Sequence, residues 1–278
     1  MTMKNLIRLT DYSINDITNI FTIADRISQG EFKDFLTDST ILLFFPAASI
    51  RTRVTFEKGI QQLGGNTILF PSDALDKKEA IKDVIGYLNN WADGIIVRHN
   101  DITKLDEMAR HSTVPVINAM TGVNHPCEVL SDLYSLSKRR TDYLEAKYLF
   151  IGEKGNIGLA WQEASKVLGF SLTQSCPVGY EMDHIPVEYD IHKAVQGKDI
   201  ILTDSLRKEM IKDFNNYQVT LTLLDKANPN VLFNPCPPFF RGEEVTDEVI
   251  QSEYFVGYQF KSTLIEIQQA IIIYNMMS

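Results

Sequence analysis

The stretch Thr40–Phe70, TILLFFPAASIRTRVTFEKGIQQLGGNTILF, decides how the chain is built. TILLFF is an apolar run of strand length without polar alternation, which predicts a strand buried on both faces. From Arg51 the pattern RVTFEKGIQQLG turns helical and ends at Gly64 and Gly65, a C-terminal stop signal, and TILF resumes as a short strand. The order is strand, loop, helix, strand. Its loop carries an unusual cargo: Ser49, Arg51, Thr52 and Arg53, two hydroxyls and two guanidinium groups in one short run.

The same order repeats on both sides. Upstream, Asp11 or Ser13 is placed to cap a helix running to about Ile27, with Ile14, Ile17, Ile20, Phe21 and Ala24 on one face. Downstream, KKEAIKDVIGYLNNWA reads as helix, GIIVR as strand, ITKLDEMARHS as helix and VPVINA as strand. A long helix from about Pro126 to Arg140 closes the first half at the polar break KRRTD. KYLFIG, FSLTQSCP, DIILTD, YQVT and VLFNP then read as a second set of strands, and the chain ends on an apolar helix, STLIEIQQAIIIYNMM. Apolar strands alternating with helices predict an α/β protein with two doubly wound parallel sheets, each covered by helices on both faces. The expected domains are residues 1–140 and 141–260, followed by a C-terminal helix over 261–278.

At 278 residues the chain has room for two such domains, and 44% apolar with 23% charged residues is the composition of an ordered globular protein rather than a disordered one. The formal charge of −9 argues against nucleic acid or an anionic membrane as partner, while leaving a small anion open to a local arginine cluster. MTMKNLIRLTDYSINDI has no apolar core of signal-peptide length and no stretch is long enough to span a membrane, so a cytoplasmic protein is expected. Cys127, Cys176 and Cys236 are three and widely spaced, a pattern of neither a disulfide framework nor a zinc site.

Ligands of open parallel sheets sit at the carboxyl ends of the strands, where loops and helix N-termini present backbone N–H groups. Ser49, Ile50, Arg51 and Thr52 are placed there. The N–H groups of Ile50, Arg51 and Thr52 can point at an oxyanion, Arg51 adds a fork that matches phosphate and Thr52 a hydroxyl. The competing reading is a capped helix with surface arginines. Arg98, after GIIV, and His125, in GVNHPCEVLSD after VPVINA, come to the same sheet edge.

SIRTR, VRH and HPCEVLSD, with the helix EAIKDVIGYLNNWADGIIVRH, resemble the carbamoyl-phosphate domain of the aspartate and ornithine carbamoyltransferases. That family carries S-x-R-T-R, an arginine after the third strand, and H-P-x-Q-x-L-x-D. In the second half GYEMD, ILTD, YQVT and CPPFFRGEEVTDEVI resemble its ornithine-type members, including those that take acylated ornithines. The resemblance implies a phosphate site at Ser49, Ile50, Arg51 and Thr52 and a carbamoyl oxygen held by Thr52, Arg98 and His125, with Arg51, Thr52, Arg98 and His125 catalytic and no metal or cofactor required. It implies an acceptor site at Asn156, Asp204, Cys236 and Pro237. It further implies a C-terminal helix returning to the first domain beside the N-terminal one, and a homotrimer in which Lys77 of PSDALDKKE reaches a neighbour's phosphate.

The sequence also departs from the pattern. Glu128 stands where the family has a glutamine that accepts from the carbamoyl NH2, so it is expected to be protonated, to turn away, or to signal a different ligand. The histidine and leucine that flank the cysteine of H-C-L-P are here Pro235 and Pro237. The S-M-G loop expected after Asp204 is deleted, leaving Arg207 or Lys208 as carboxylate partners. The arginine of E-A-x-N-R is replaced by the neighbourhood of Lys261. For Asp204 the plain reading is a helix N-cap, for Cys236 a small buried residue. The functional expectation is carbamoyl transfer from carbamoyl phosphate to the amine of an ornithine-like amino acid. The alternatives are a catalytically degenerate binding or regulatory subunit, and an NAD-dependent dehydrogenase suggested by FIGEKGNIG, which lacks G-x-G-x-x-G.

Overall fold

A computed structural model describes residues 4–277. The chain forms two compact units: the residues up to Ser135 together with the segment that starts at Lys261, and Leu136–Phe260.

The first unit holds strands β1 (Thr40–Phe45), β2 (Asn66–Pro71), β3 (Gly94–Arg98) and β4 (Val116–Met120), all parallel, in the order β2-β1-β3-β4. Its helices are α1 (Ile14–Ser28), α2 (Arg51–Gln62), α3 (Ile81–Leu88), α4 (Ile102–His111) and the greater part of α5 (Pro126–Arg139). The fully apolar runs become strands because both faces are covered: Leu42, Phe44, Ile95 and Val97 pack on Ile85, Leu105 and Met108 of α3 and α4. On the other side Phe45 meets Phe56 of α2.

Ser13 caps α1 with a reciprocal capping box to Asp16. Ile17, Ile20 and Ala24 are its buried face, whereas Ile14, expected on that face, is 51% exposed, because the first turn overhangs the core. The helix read from KKEAIKDVIGYLNNWA is shorter than expected. A 3-10 turn, Ser72–Asp76, and an extended Lys77 come first, since Asp76 accepts from Lys104 Nζ at 2.5 Å and lies 3.1 Å from His99 Nε2, which pins the segment to the end of the sheet.

The second unit has strands β5 (Lys147–Ile151), β6 (Ser171–Ser175), β7 (Ile200–Thr203) and β8 (Leu232–Pro235), again parallel, in the order β6-β5-β7-β8. Helix α6 (Asn156–Leu168) and the one-turn helices α7 (Ile191–Ala194), α8 (Leu221–Leu224) and α9 (Asp247–Ile250) accompany them. YQVT, expected as a strand, is instead the end of a 3-10 turn followed by a single bridge from Val219 to Val245. Four residues with one buried valine suffice for that bridge but not for a ladder.

The last helix, α10 (Leu264–Met277), belongs to the first unit and packs against both α1 and α2. It is apolar almost all round because it is covered all round. Tyr12 beside α1 hydrogen-bonds Asn275, Tyr274 hydrogen-bonds Asp16, and Gln269 Nε2 donates to the Gly59 carbonyl at 2.9 Å. The N- and C-terminal helices thus pack together, as the sequence reading expected.

Candidate active site

In each unit strand order reverses once, between β1 and β3 and between β5 and β7. Helices leave the sheet in opposite directions there and open a crevice at the carboxyl ends of the strands. In the first unit the ends of β1, β3 and β4 meet at that crevice, with Ser49–Thr52 in the loop and first turn of α2 after β1, Arg98 the last residue of β3, and His125 in the loop after β4.

Ile50 occupies the N-cap of α2 and its side chain is 71% exposed, so no side chain caps this helix. The first-turn N–H groups, those of Arg51 and Thr52 among them, therefore stay pointed out of the helix end, with the positive end of the helix dipole behind them. This disposes of the capped-helix reading. Ser49 and Thr52 are buried, and both hydroxyls accept from one donor: Arg98 Nη1 lies 3.2 Å from Ser49 Oγ and 3.4 Å from Thr52 Oγ1. Arg51 is exposed at the mouth of the same helix end. Lys77 is exposed and makes no hydrogen bond or ion pair with this cluster among the described residues.

His125 is presented by a turn that the sequence builds locally. Thr121 N–H donates to the Asn124 carbonyl at 2.8 Å, Asn124 N–H donates to Thr121 Oγ1 at 3.0 Å, and Asn118 Nδ2 ties the Asn124 side chain at 2.6 Å. Pro126 then opens α5 with its φ already helical. The His125 ring is 7% exposed and its Nδ1 is buried without a hydrogen-bond partner. Burial pulls its pKa down to about 4; Glu128 opposes this, while Arg98 and Lys261 add to it. At neutral pH the imidazole is neutral, a donor without a charge.

Glu128 takes no proton and is held in an ion pair. Its Oε1 lies 2.8 Å from Lys261 Nζ, which also sits 2.5 Å from Asp132 Oδ1. Burial pushes the Glu128 carboxyl up, but Lys261, His125 and Arg51 outweigh it and the net shift is downward, so the group is an ionised carboxylate. Asp132 had been visible only as the last letter of HPCEVLSD. Its place four residues after Glu128, on the same helix face, is the signal that pairs them.

Both shifts have one sign for stability. Unfolded His125 would take a proton below its ordinary pKa of 6.5 but the folded ring does so only near 4. Stability is therefore lost as the pH falls through that window, by about 2–3 kcal/mol for this group, and the depressed Glu128 adds to the loss at the lower end. Melting of the protein between pH 7 and 4 checks this, with His125→Gln expected to flatten the upper part of the slope.

The second unit places its expected residues in the same way. Asn156 is the first residue of α6, after β5. Asp204 follows β7, and Cys236 follows β8 with its N–H on the Thr203 carbonyl at 2.9 Å. Because Ile151 pairs with Thr203 and Thr203 with Pro235, three neighbouring strand ends carry these side chains. Cys236 is buried and Pro237 half-buried. Asp204 caps no helix: it accepts from the next residue, Ser205 N–H, at 2.8 Å, and turns follow it. Arg207 is engaged by Glu153, with Nε on Oε1 at 3.0 Å and Nη2 on Oε2 at 2.7 Å, and Lys208 is exposed.

The last glycine of FIGEKGNIG serves packing. A Cβ on Gly158 would stand 2.8 Å from Phe150 Cε1 and 3.0 Å from Met182 Sδ, so this glycine lets α6 lie close on β5. The dehydrogenase reading loses its motif. Buried near Asp204, the Glu244 carboxyl, which the sequence did not single out, is raised to about 7 by burial, with Glu243 and Asp204 adding to it. Among the described residues no helix is long and apolar enough to cross a membrane.

Two family descriptions match nearly the whole chain: the carbamoyl-phosphate-binding domain of aspartate/ornithine carbamoyltransferase over residues 4–138, and the Asp/Orn-binding domain over residues 144–274. The chain is 31% identical to the ornithine carbamoyltransferase of Syntrophotalea carbinolica, over 96% of this chain and 97% of that one. It is 32% identical to that of Paracidovorax citrulli, over 98% and 96%. Among solved structures, ornithine carbamoyltransferase from Pyrococcus furiosus superposes with a TM-score of 0.92 at 28% identity, covering 98% of this chain and 97% of that chain. With the arginine, hydroxyl and imidazole groups gathered at the switch point of the first sheet, these matches lead to one conclusion: the chain belongs to the aspartate/ornithine carbamoyltransferase family.

Proposed function

We propose that this enzyme transfers the carbamoyl group of carbamoyl phosphate to the amine of an ornithine-like amino acid and releases phosphate. The observation that carries the reading is Arg98 joined to Ser49 and Thr52 beside the open end of α2, with neutral His125 in the next loop. The helix end and Arg51 take the phosphate of a small dianion. Arg98, the Thr52 hydroxyl and the His125 N–H stabilise the oxyanion that forms when a neutral amine attacks the carbamoyl carbon. The C–O bond to phosphate then breaks, and the departing phosphate takes up the proton that the amine loses.

Asn156, Asp204, Cys236 and Pro237 form the acceptor site. The ion pair of Glu128 with Lys261 offsets a negative charge near the dianion, which supports a catalyst over the degenerate binder that Glu128, the deleted loop and the missing arginine suggested. Phosphate release, measured against ornithine, acylated ornithines, lysine, diamines and aspartate, tests the assignment. Ornithine-type amines should exceed aspartate; the reverse would overturn it.

The assembly is a homotrimer in which Lys77 reaches a neighbouring subunit's phosphate. Support comes from the Asp76 anchor, which fixes the backbone before Lys77 while the side chain stays exposed. Mixing Arg51→Ala with Lys77→Ala subunits should restore activity that each lacks alone at low carbamoyl phosphate. No recovery despite proven subunit exchange would remove Lys77 from the site.

A further inference from the structure

Glu244 ties down the loop after β8 from the inside. It is 4% exposed, its Oε1 accepts from Phe240 N–H at 2.6 Å, and its Oε2 is buried without a hydrogen-bond partner. The tie spans a segment with few donors to offer, because Pro237 and Pro238 have no N–H. One end is anchored at Cys236, whose N–H donates to the Thr203 carbonyl at 2.9 Å, and the other at Phe240, while the Phe239 ring packs on Phe255 at 5.9 Å. Cys236 and Pro237 thus take their places between one bond to the sheet and one bond to Glu244.

Burial raises the Glu244 carboxyl to about 7; the N–H groups of Phe240 and of Glu244 itself oppose this, and Glu243 and Asp204 add to the rise. The nearest cation along the chain, Arg241, is held by Asp247 at 2.6 Å and donates to Tyr258 Oη at 3.2 Å. On the segment packed against this loop, Gln218 Nε2 and Val219 N–H donate to the backbone carbonyls of Glu243 and Glu244, at 2.8 and 2.9 Å, and not to the carboxyl. The bond to Phe240 is therefore charge-assisted above neutrality and weaker below it.

We infer that Glu244 is a positioning residue of the acceptor site: as a carboxylate it draws in Phe240 N–H and so fixes Cys236 and Pro237 beside Asp204, and on taking a proton it slackens that wall and weakens the hold on the acceptor. This rests on the proposed acceptor site and adds to it a control of that site by proton uptake, through a group that touches no substrate.

Initial rates at saturating carbamoyl phosphate, from pH 6 to 9, with the best amine of the panel above and expressed per concentration of its neutral form, test the inference on the intact protein. In the unaltered enzyme kcat/KM for the amine should fall about five- to tenfold as the pH drops through 7, the difference in worth between a charge-assisted and a neutral hydrogen bond. Calorimetric affinity for carbamoyl phosphate, bound by the other unit, should not share that fall. Glu244→Gln keeps the shape and stays neutral, so it should give the low value at every pH with unchanged carbamoyl-phosphate affinity. A side chain that only held the fold would instead lower the melting temperature and leave the pH profile of the surviving enzyme as it was. No fall through pH 7 in the unaltered enzyme, or a fall that persists in Glu244→Gln, would overturn the inference; the first outcome needs no variant, so the test holds even if the glutamine chain does not fold. Transfer to no amine at any pH would overturn the carbamoyl-transfer reading beneath it, and this inference with it.

Discussion

Replacement of Arg98 with alanine is expected to lower kcat/KM by roughly 10²–10⁴-fold while leaving the melting temperature within a few degrees. Two effects add. The guanidinium donates to the developing oxyanion, and it also holds the Ser49 and Thr52 hydroxyls in one arrangement, so the variant loses a ligand contact and the order of two others. Charge-assisted hydrogen bonds contribute about 1.5–3 kcal/mol each, and two of them cover the stated range. Arg98→Lys should recover little, since an ammonium cannot reproduce the planar fork. Arg51→Ala should act differently, raising KM for carbamoyl phosphate more than it lowers kcat, because Arg51 stands exposed at the phosphate end of α2. Steady-state kinetics of the three variants check the scheme, and an Arg98→Ala enzyme within tenfold of the parent would refute it.

Lys261→Met is expected to cost the first unit about 3–5 kcal/mol, the usual penalty for removing one member of a buried ion pair. At about 2–4 °C per kcal/mol the melting transition of that unit should fall by roughly 6–20 °C. The cause is the pair of buried carboxylates on α5, Glu128 and Asp132, which lose the ammonium between them. Glu128→Gln in the same chain should return at least half of the loss, since it removes one of the two charges and keeps the shape. A methionine variant that melts with the parent would mean that the trio contributes nothing to the fold.

Much of this architecture was readable because it rests on local pattern. Ser13 and its capping box, the two glycines that end α2, and fully apolar strands between helices are short-range signals with one structural solution each. The alternation also places the loops after β1, β3 and β4 at one edge, which is why Ser49, Arg98 and His125 could be grouped before any coordinate was known. The failures have physical causes of the opposite kind. Ile14 has the right spacing for the core and lies beyond its edge; YQVT has strand composition but finds only a one-residue partner. The α3 helix begins late because a distant lysine, Lys104, holds Asp76. The Lys261 bonds to Glu128 and Asp132 span separations of 133 and 129 residues. No periodicity could report them, and Glu128 read alone looked like a defect.

The bond between Glu128 and Lys261 also shapes how such a chain can change over generations. Loss of Lys261 strands two buried carboxylates, whereas loss of Glu128 leaves the ammonium on Asp132, so the cost of changing one position depends on the residue at the other and the two are epistatic. A scan of single substitutions would score Lys261 as the less tolerant of the two. A library varying the two positions together would uncover a permitted ridge of neutral or oppositely charged combinations.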